Sequence, residues 1–238
     1  MRIRLWNLLQ GWRHFAGEVG IIVIGVLIAL GAEQAAESLH WKGQVKDARI
    51  ALDAELAHSV GAYEHRRQQS PCVERRLDEL DQWVRQWSRG RREALGGPIG
   101  RIAGFNTWKG VWEVTQSGQV ASHIPLKDRL AYARIYDLLA SYAENRSLER
   151  EAWFVLRDYD EAEHLEHQDI VRLRGALARA RYLNRLIGQY AGNGFILDTA
   201  AELGVNPKKL AGTDLVAEAE LCRAIPRVAV GGTQLRTQ

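Results

Sequence analysis

The chain has 238 residues, a formal net charge of +3, and 46% apolar against 26% charged residues. These proportions exclude general disorder, and the charge is too small to indicate a nucleic-acid partner. The only two cysteines, Cys72 and Cys222, show no CxxC or zinc-ligand spacing; they either pair in an oxidising compartment or stay as separate thiols.

Residues 1–14 form a basic tail carrying Arg2, Arg4 and Arg13 without an acid. The next segment, GEVGIIVIGVLIALGAEQAAE, is uncharged from residue 19 to residue 32 and has an acid at each edge, Glu18 and Glu33. As a helix the uncharged run reaches about 21 Å, short of a hydrocarbon layer of about 30 Å. Its flanks extend it. Trp12 precedes the run and Trp41 follows it, about 43 Å apart along a helix, which matches a bilayer with its headgroups. Trp12, Glu18, Glu33 and Trp41 are therefore candidate interfacial anchors, and residues 15–39 are expected to span a membrane. Ala29-Leu30-Gly31 also resembles a signal-peptide cleavage site, but helix-compatible sequence continues past it, so an uncleaved anchor is expected. Lysine and arginine nearly balance across the span, with Lys42, Lys46 and Arg49 following it. A short basic tail is easily retained inside, which places the carboxyl-terminal domain outside the cytoplasm.

Gly25, Ala29, Ala32 and Ala36 recur at spacings of four, three and four, on one helical face. Small residues let backbones approach closely, so this face is a candidate helix–helix interface with a second copy or with another membrane protein.

Gly17, Glu18 and residues 23–30 carry a resemblance. A Gly-Glu pair followed by V-I-G-V-L-I-A-L is similar to the opening segment of an uncharacterised family of bacterial membrane-anchored proteins, and VTQSGQV at residues 114–120 is similar to a Ser-Gly turn in that family's outer domain. The resemblance implies an inner-membrane anchor and a helical domain in the periplasm. It brings no catalytic residues.

Residues 40–225 are expected to form the helical domain. Trp41, Val45, Ala48, Leu52, Leu56, Ser59 and Tyr63 trace an amphipathic helix continuing from the span to Ser70-Pro71. Val73, Leu77, Leu80, Val84 and Trp87 give a second seam, which predicts an antiparallel hairpin with the first. Residues 89–101 read as a glycine-rich loop. A short helix capped by Thr107 then presents Trp108, Val111, Trp112 and Thr115, ending at Ser117-Gly118. Pro125 opens a proline-free region expected to hold a helix with the stripe Leu130, Ala133, Tyr136, Leu139, Ala143 and Arg146, a second over residues 148–168, and a third over residues 170–191. Shorter helices are expected over residues 198–203 and 213–225, with a loose tail at residues 226–238. The fold class is all-α: a single membrane helix followed by an antiparallel helical bundle.

Chemistry is sparse in this sequence. His164 and His167, three apart, with Glu163, are a candidate metal set if helical, and would support a metal-binding domain or metal-dependent hydrolase. A solvated acidic face explains the same residues. Arg172, Arg174, Arg179, Arg181 and Arg185 suit either anionic headgroups or pairing with the acidic stretch before them. Phe105, Trp108 and Trp112 read as core or as a binding wall. His123 has no nucleophile in sight, Ser117 lacks the G-x-S-x-G elbow, and no phosphate-binding glycine loop occurs. The expectation is a non-enzymatic binding or scaffolding protein without a cofactor, partnered by membrane lipid and by a second copy or another membrane protein.

Overall fold

A computed structural model describes residues 6–190, 195–210 and 215–229, with side chains from residue 15 onward except at positions 215 and 217. Eight helices and one two-stranded ribbon occur among the described residues. Helix α1, Trp6–Gln68, runs without interruption from the apolar segment into the packed domain. Helix α2 is Ser70–Ser88, followed by strand β1, Glu93–Leu95, and short helices α3, Gly110–Ser117, and α4, Val120–His123. Helices α5, Leu126–Arg157, and α6, His167–Gln189, complete the core; α7, Ile196–Glu202, α8, Leu215–Cys222, and strand β2, Arg227–Ala229, close the chain.

The long helices are ordered by polar pairs that act as a ruler. Arg49 pairs with Asp128, Tyr132 Oη donates to Asp53 at 2.7 Å, Tyr136 Oη to Glu55 at 2.7 Å, and Tyr142 Oη to the Ala62 carbonyl at 3.4 Å. The separation in sequence stays near 80 throughout, from 79 to 81. Constant separation means that α1 and α5 run parallel. Burial, and then the bond to a carboxylate, pushes the Tyr132 and Tyr136 phenols well above their ordinary value, so both remain donors.

Helix α6 runs the other way. Asn145 bonds Tyr190, Arg179 bonds Glu151 and Arg172 bonds Asp158, over separations shrinking from 45 to 28 to 14. Against the first rod, Tyr63 meets the Ile187 carbonyl, Arg66 meets Asn184, Arg181 meets Asp78 and Arg174 meets Ser88, again in descending order. Helix α6 is thus antiparallel both to α5 and to the rod of α1 and α2.

The expected hairpin between α1 and α2 is a kink instead. Gln69 alone separates them, and its backbone stays helical at φ −80°, ψ −12°. Pro71 in the first turn of α2 has no N–H to donate, which bends the rod without reversing it. The expected break near residue 148 is also absent: α5 continues to Arg157. The chain turns over residues 158–166, where Asp158, Asp160, Glu161 and Glu163 would sit unfavourably at a helix carboxyl terminus. Helix α6 starts where acids are favourable, with Asp169 accepting the Glu166 N–H at 2.8 Å.

Two apolar clusters fill the interior. One joins Leu52, Leu56, Val60 and Tyr63 of α1 to Tyr132, Ile135, Tyr136, Leu139 and Tyr142 of α5, with Ile187 and Ile196. The other joins the α2 seam, Val73, Leu77, Leu80, Val84 and Trp87, to Trp153 and Leu156 of α5 and to Leu173, Leu177 and Ala180 of α6. Between them lies a polar layer. Arg66 and Glu149 are both fully buried; Arg66 Nε donates to Glu149 at 3.0 Å, Nη1 to Ser70 Oγ at 3.1 Å and Nη2 to both Glu149 and Asn184. Asn184 in turn reaches Glu74 at 3.1 Å.

The carboxyl-terminal segment is fastened to α2 at several points. Cys72 and Cys222 form a disulfide across 150 residues. The buried Arg76 guanidinium donates to the carbonyls of Pro98, Ile99, Glu220 and Arg223. Strands β1 and β2 pair antiparallel, Ala94 opposite Val228, and the indoles of Trp83 and Trp87 both donate to the Glu93 carbonyl at 2.7 Å. Part of the loop expected at residues 89–101, and residues 227–229 of the expected tail, are therefore ribbon. Residues 230–238 lie outside the described residues.

Candidate functional site

From residue 16 to residue 40 every residue of α1 except Gly20 is exposed. Phe15, Ile21, Ile22, Ile24, Leu27, Ile28 and Leu30 are all exposed, and the most apolar 18-residue window of this helix has mean hydropathy 2.3 with none of it buried. One helix in the described residues is thus long and apolar enough to cross a membrane. Gly25, Ala29, Ala32 and Ala36 are exposed along it, and a Cβ built on Gly25 meets no atom within 4 Å. Glu18 and Glu33 are exposed as well. The Trp12 side chain lies outside the described residues.

Packing begins at Trp41. Its indole stacks on the His123 ring at 4.1 Å and 13°, and its Nε1 donates to Glu37 at 3.3 Å. This candidate interfacial anchor is also where the exposed apolar segment of α1 meets the packed domain. Beside it a groove of about 820 Å³ is lined by Lys42, Val45, Lys46, Arg49 and Pro125. His123 is occupied by the Trp41 stack.

The candidate metal set is spread by the turn between α5 and α6. His167 is the first residue of α6, while Glu163 and His164 belong to the non-helical connection, so three-residue spacing does not place the two imidazoles on one helical face. His164 instead meets the Trp87 ring edge-on at 5.7 Å. Among the described residues no group of three or more His, Cys, Asp or Glu side chains gathers as a metal site.

The basic run of α6 is largely paired. Arg172 bonds Asp158, Arg179 bonds Glu151, and Arg181 reaches Glu74 and Asp78, so only one of these arginines uses the acidic stretch beside it. The aromatic group divides. Trp112 stacks on Tyr136 at 5.2 Å and belongs to the core; Trp108 stacks on His58 at 3.6 Å on the surface; Phe105 meets His65. Thr107 precedes α3 by three residues and does not cap it, since Lys109 holds that position. Glu55 supplies the anchoring instead, accepting the Val111 and Trp112 N–H groups.

A second cleft escaped the sequence reading. It lies between the middle of α5 and residues 101–107, with a volume of about 560 Å³, and Arg101, Arg146 and Arg150 line it. Arg101 closes the glycine-rich loop and Arg146 belongs to the α5 stripe, and nothing in the sequence brings them together; they meet only because the loop folds onto α5.

No protein-family model, curated protein or solved structure matches the chain.

Proposed function

We propose that the protein is a single-pass membrane-anchored binding module, with residues 15–39 in the bacterial inner membrane and the helical domain in the periplasm. The observation that carries this reading is the apolar segment of α1, which is exposed among the described residues and continues unbroken into a packed domain. In water that surface would be costly; among lipid tails it is not. Lys42 and Lys46 beside the Trp41 junction suit anionic headgroups. The Cys72–Cys222 pairing supports an oxidising compartment for the domain.

Because the first rod is stiff, a partner bound on the domain is held at a fixed height above the bilayer. The face of Gly25, Ala29, Ala32 and Ala36 is the proposed site of self-association or of docking with another membrane protein's helix. Crosslinking in native membranes is expected to trap a dimer or a defined complex, and Gly25→Ile to abolish it. Undiminished crosslinking in that variant contradicts the assignment of this face.

A further inference from the structure

A smaller cleft of about 150 Å³ adjoins the one between α5 and residues 101–107. Arg101, Arg146 and Arg150 line both, Arg157, Trp153 and the exposed Phe154 line the smaller one, and no aspartate or glutamate lines either. Arg146, Arg150 and Arg157 lie on one face of α5, at spacings of four and seven. Like charges at such spacing repel, and the carboxylates paired with these three are Glu149 at Arg146 and Asp160 at Arg157. Arg146 shares Glu149 with Arg66, so two guanidinium groups draw on one carboxylate. Arg157 approaches Asp160 only to 3.7 Å, outside hydrogen-bonding range, and Arg150 is exposed.

Two further features shape the cleft. Trp153 is 3% exposed, and its indole N–H is a buried donor with no acceptor among the described residues. Buried donors are nearly always satisfied, so this one is an exception set beside a basic cleft. Gly104 provides room: a Cβ there would lie 2.5 Å from Arg146 Nη2, so the lack of a side chain lets that guanidinium rest against the loop.

We propose that this cleft binds a small, soluble, phosphate-bearing anion. Guanidinium forks match phosphoryl oxygens two at a time, and the concentration of positive charge favours a dianion over a single carboxylate. The parallel register of α1 and α5 sets Arg146 and Arg150 level with Arg66 and Ser70, roughly 40 Å along the rod beyond Leu39. Headgroups of the anchoring bilayer do not reach that height. This last step rests on the membrane reading; the cleft itself does not.

Calorimetric titration of the full-length protein in detergent at low ionic strength, with inorganic pyrophosphate as the probe, tests the assignment. Saturable binding at one site per chain is expected, weakened about tenfold by Arg150→Gln, the loss typical of a charge-assisted hydrogen bond. Trp153→Phe, which keeps the ring and removes the N–H, is expected to weaken it severalfold, with both variants melting near the parent temperature. No binding, affinity unchanged in both variants, or tighter binding of citrate than of pyrophosphate overturns the proposal. In nanodiscs, equal pyrophosphate affinity with and without phosphatidylglycerol supports a soluble ligand; competition by phosphatidylglycerol overturns that part. A chain that proves not to be membrane-bound leaves the detergent titration unaffected, so the two readings fail separately.

Discussion

Replacing Glu149 with leucine is expected to cost about 3–5 kcal/mol of stability, because Arg66 would keep a full charge in a site with no exposure and no carboxylate. Urea unfolding of parent and variant measures the difference. The reverse change, Arg66→Met, is expected to cost less, since Glu149 retains Arg146 as a partner whose side chain is still 11% exposed. Removing both charges together should recover part of the loss, because the fully buried Arg66 charge goes with its carboxylate while Arg146, 11% exposed, still loses its partner. These inequalities follow from where the layer sits. It separates two apolar clusters and joins α1, α5 and α6 at one height, so sliding any of the three by a turn would press a charged group against hydrocarbon. A Glu149→Leu variant within about 1 kcal/mol of the parent would contradict this role.

Opening the disulfide is expected to have the second large effect. Closing a loop of 150 residues removes roughly 5 kcal/mol of chain entropy from the unfolded state in the simplest treatment, and measured losses on removing native bridges run at about 2–5 kcal/mol. The bridge joins the first turn of α2 to the last residue of α8, a helix of only eight residues. Without the bridge, that segment is held by the Arg76 fan of carbonyl contacts, the Arg75 bond to the Cys222 carbonyl, the His65–Glu218 pair, the Arg227 bonds to Gln82 and Gln86 and the three-residue ribbon, together with buried Leu221. Cys72→Ser with Cys222→Ser should therefore lower the unfolding midpoint and raise hydrogen exchange first in α8 and β2. Equal midpoints and unchanged exchange in these elements would show that the bridge adds nothing.

Much of the helical architecture is legible in the sequence, and particular residues show why. The α2 seam, Val73, Leu77, Leu80, Val84 and Trp87, is buried at every position because a 3.6-residue period has one structural meaning in a half-buried helix. The continuity of α1 from the apolar segment into the domain is legible too, since no proline falls between residues 19 and 63. Direction is harder. Ser70-Pro71 reads as a turn, yet a proline in the first turn of a helix is tolerated, and one intervening residue gives the chain no length in which to reverse. The acidic run at residues 158–169 contains neither proline nor glycine, so it reads as helix until the dipole at the end of α5 is considered. Three-residue strands leave too few positions for alternation to register, and their pairing joins segments far apart in sequence.

The polar layer and the arginine cleft were not legible for a different reason. Arg66 and Glu149 are 83 residues apart, and a charged residue destined for the interior has the same local pattern as one on the surface. Only the parallel packing of α1 on α5 makes them partners. Arg101 and Arg150 likewise depend on residues 101–107 folding back over α5. The more conspicuous arginines of α6, by contrast, are mostly engaged with carboxylates of α2 and α5.

Membrane attachment through α1 is the claim on which the proposed function stands, and alkaline carbonate extraction of membranes carrying the full-length protein tests it most directly. The protein should stay in the pellet, like an integral protein; its appearance in the supernatant would contradict the assignment.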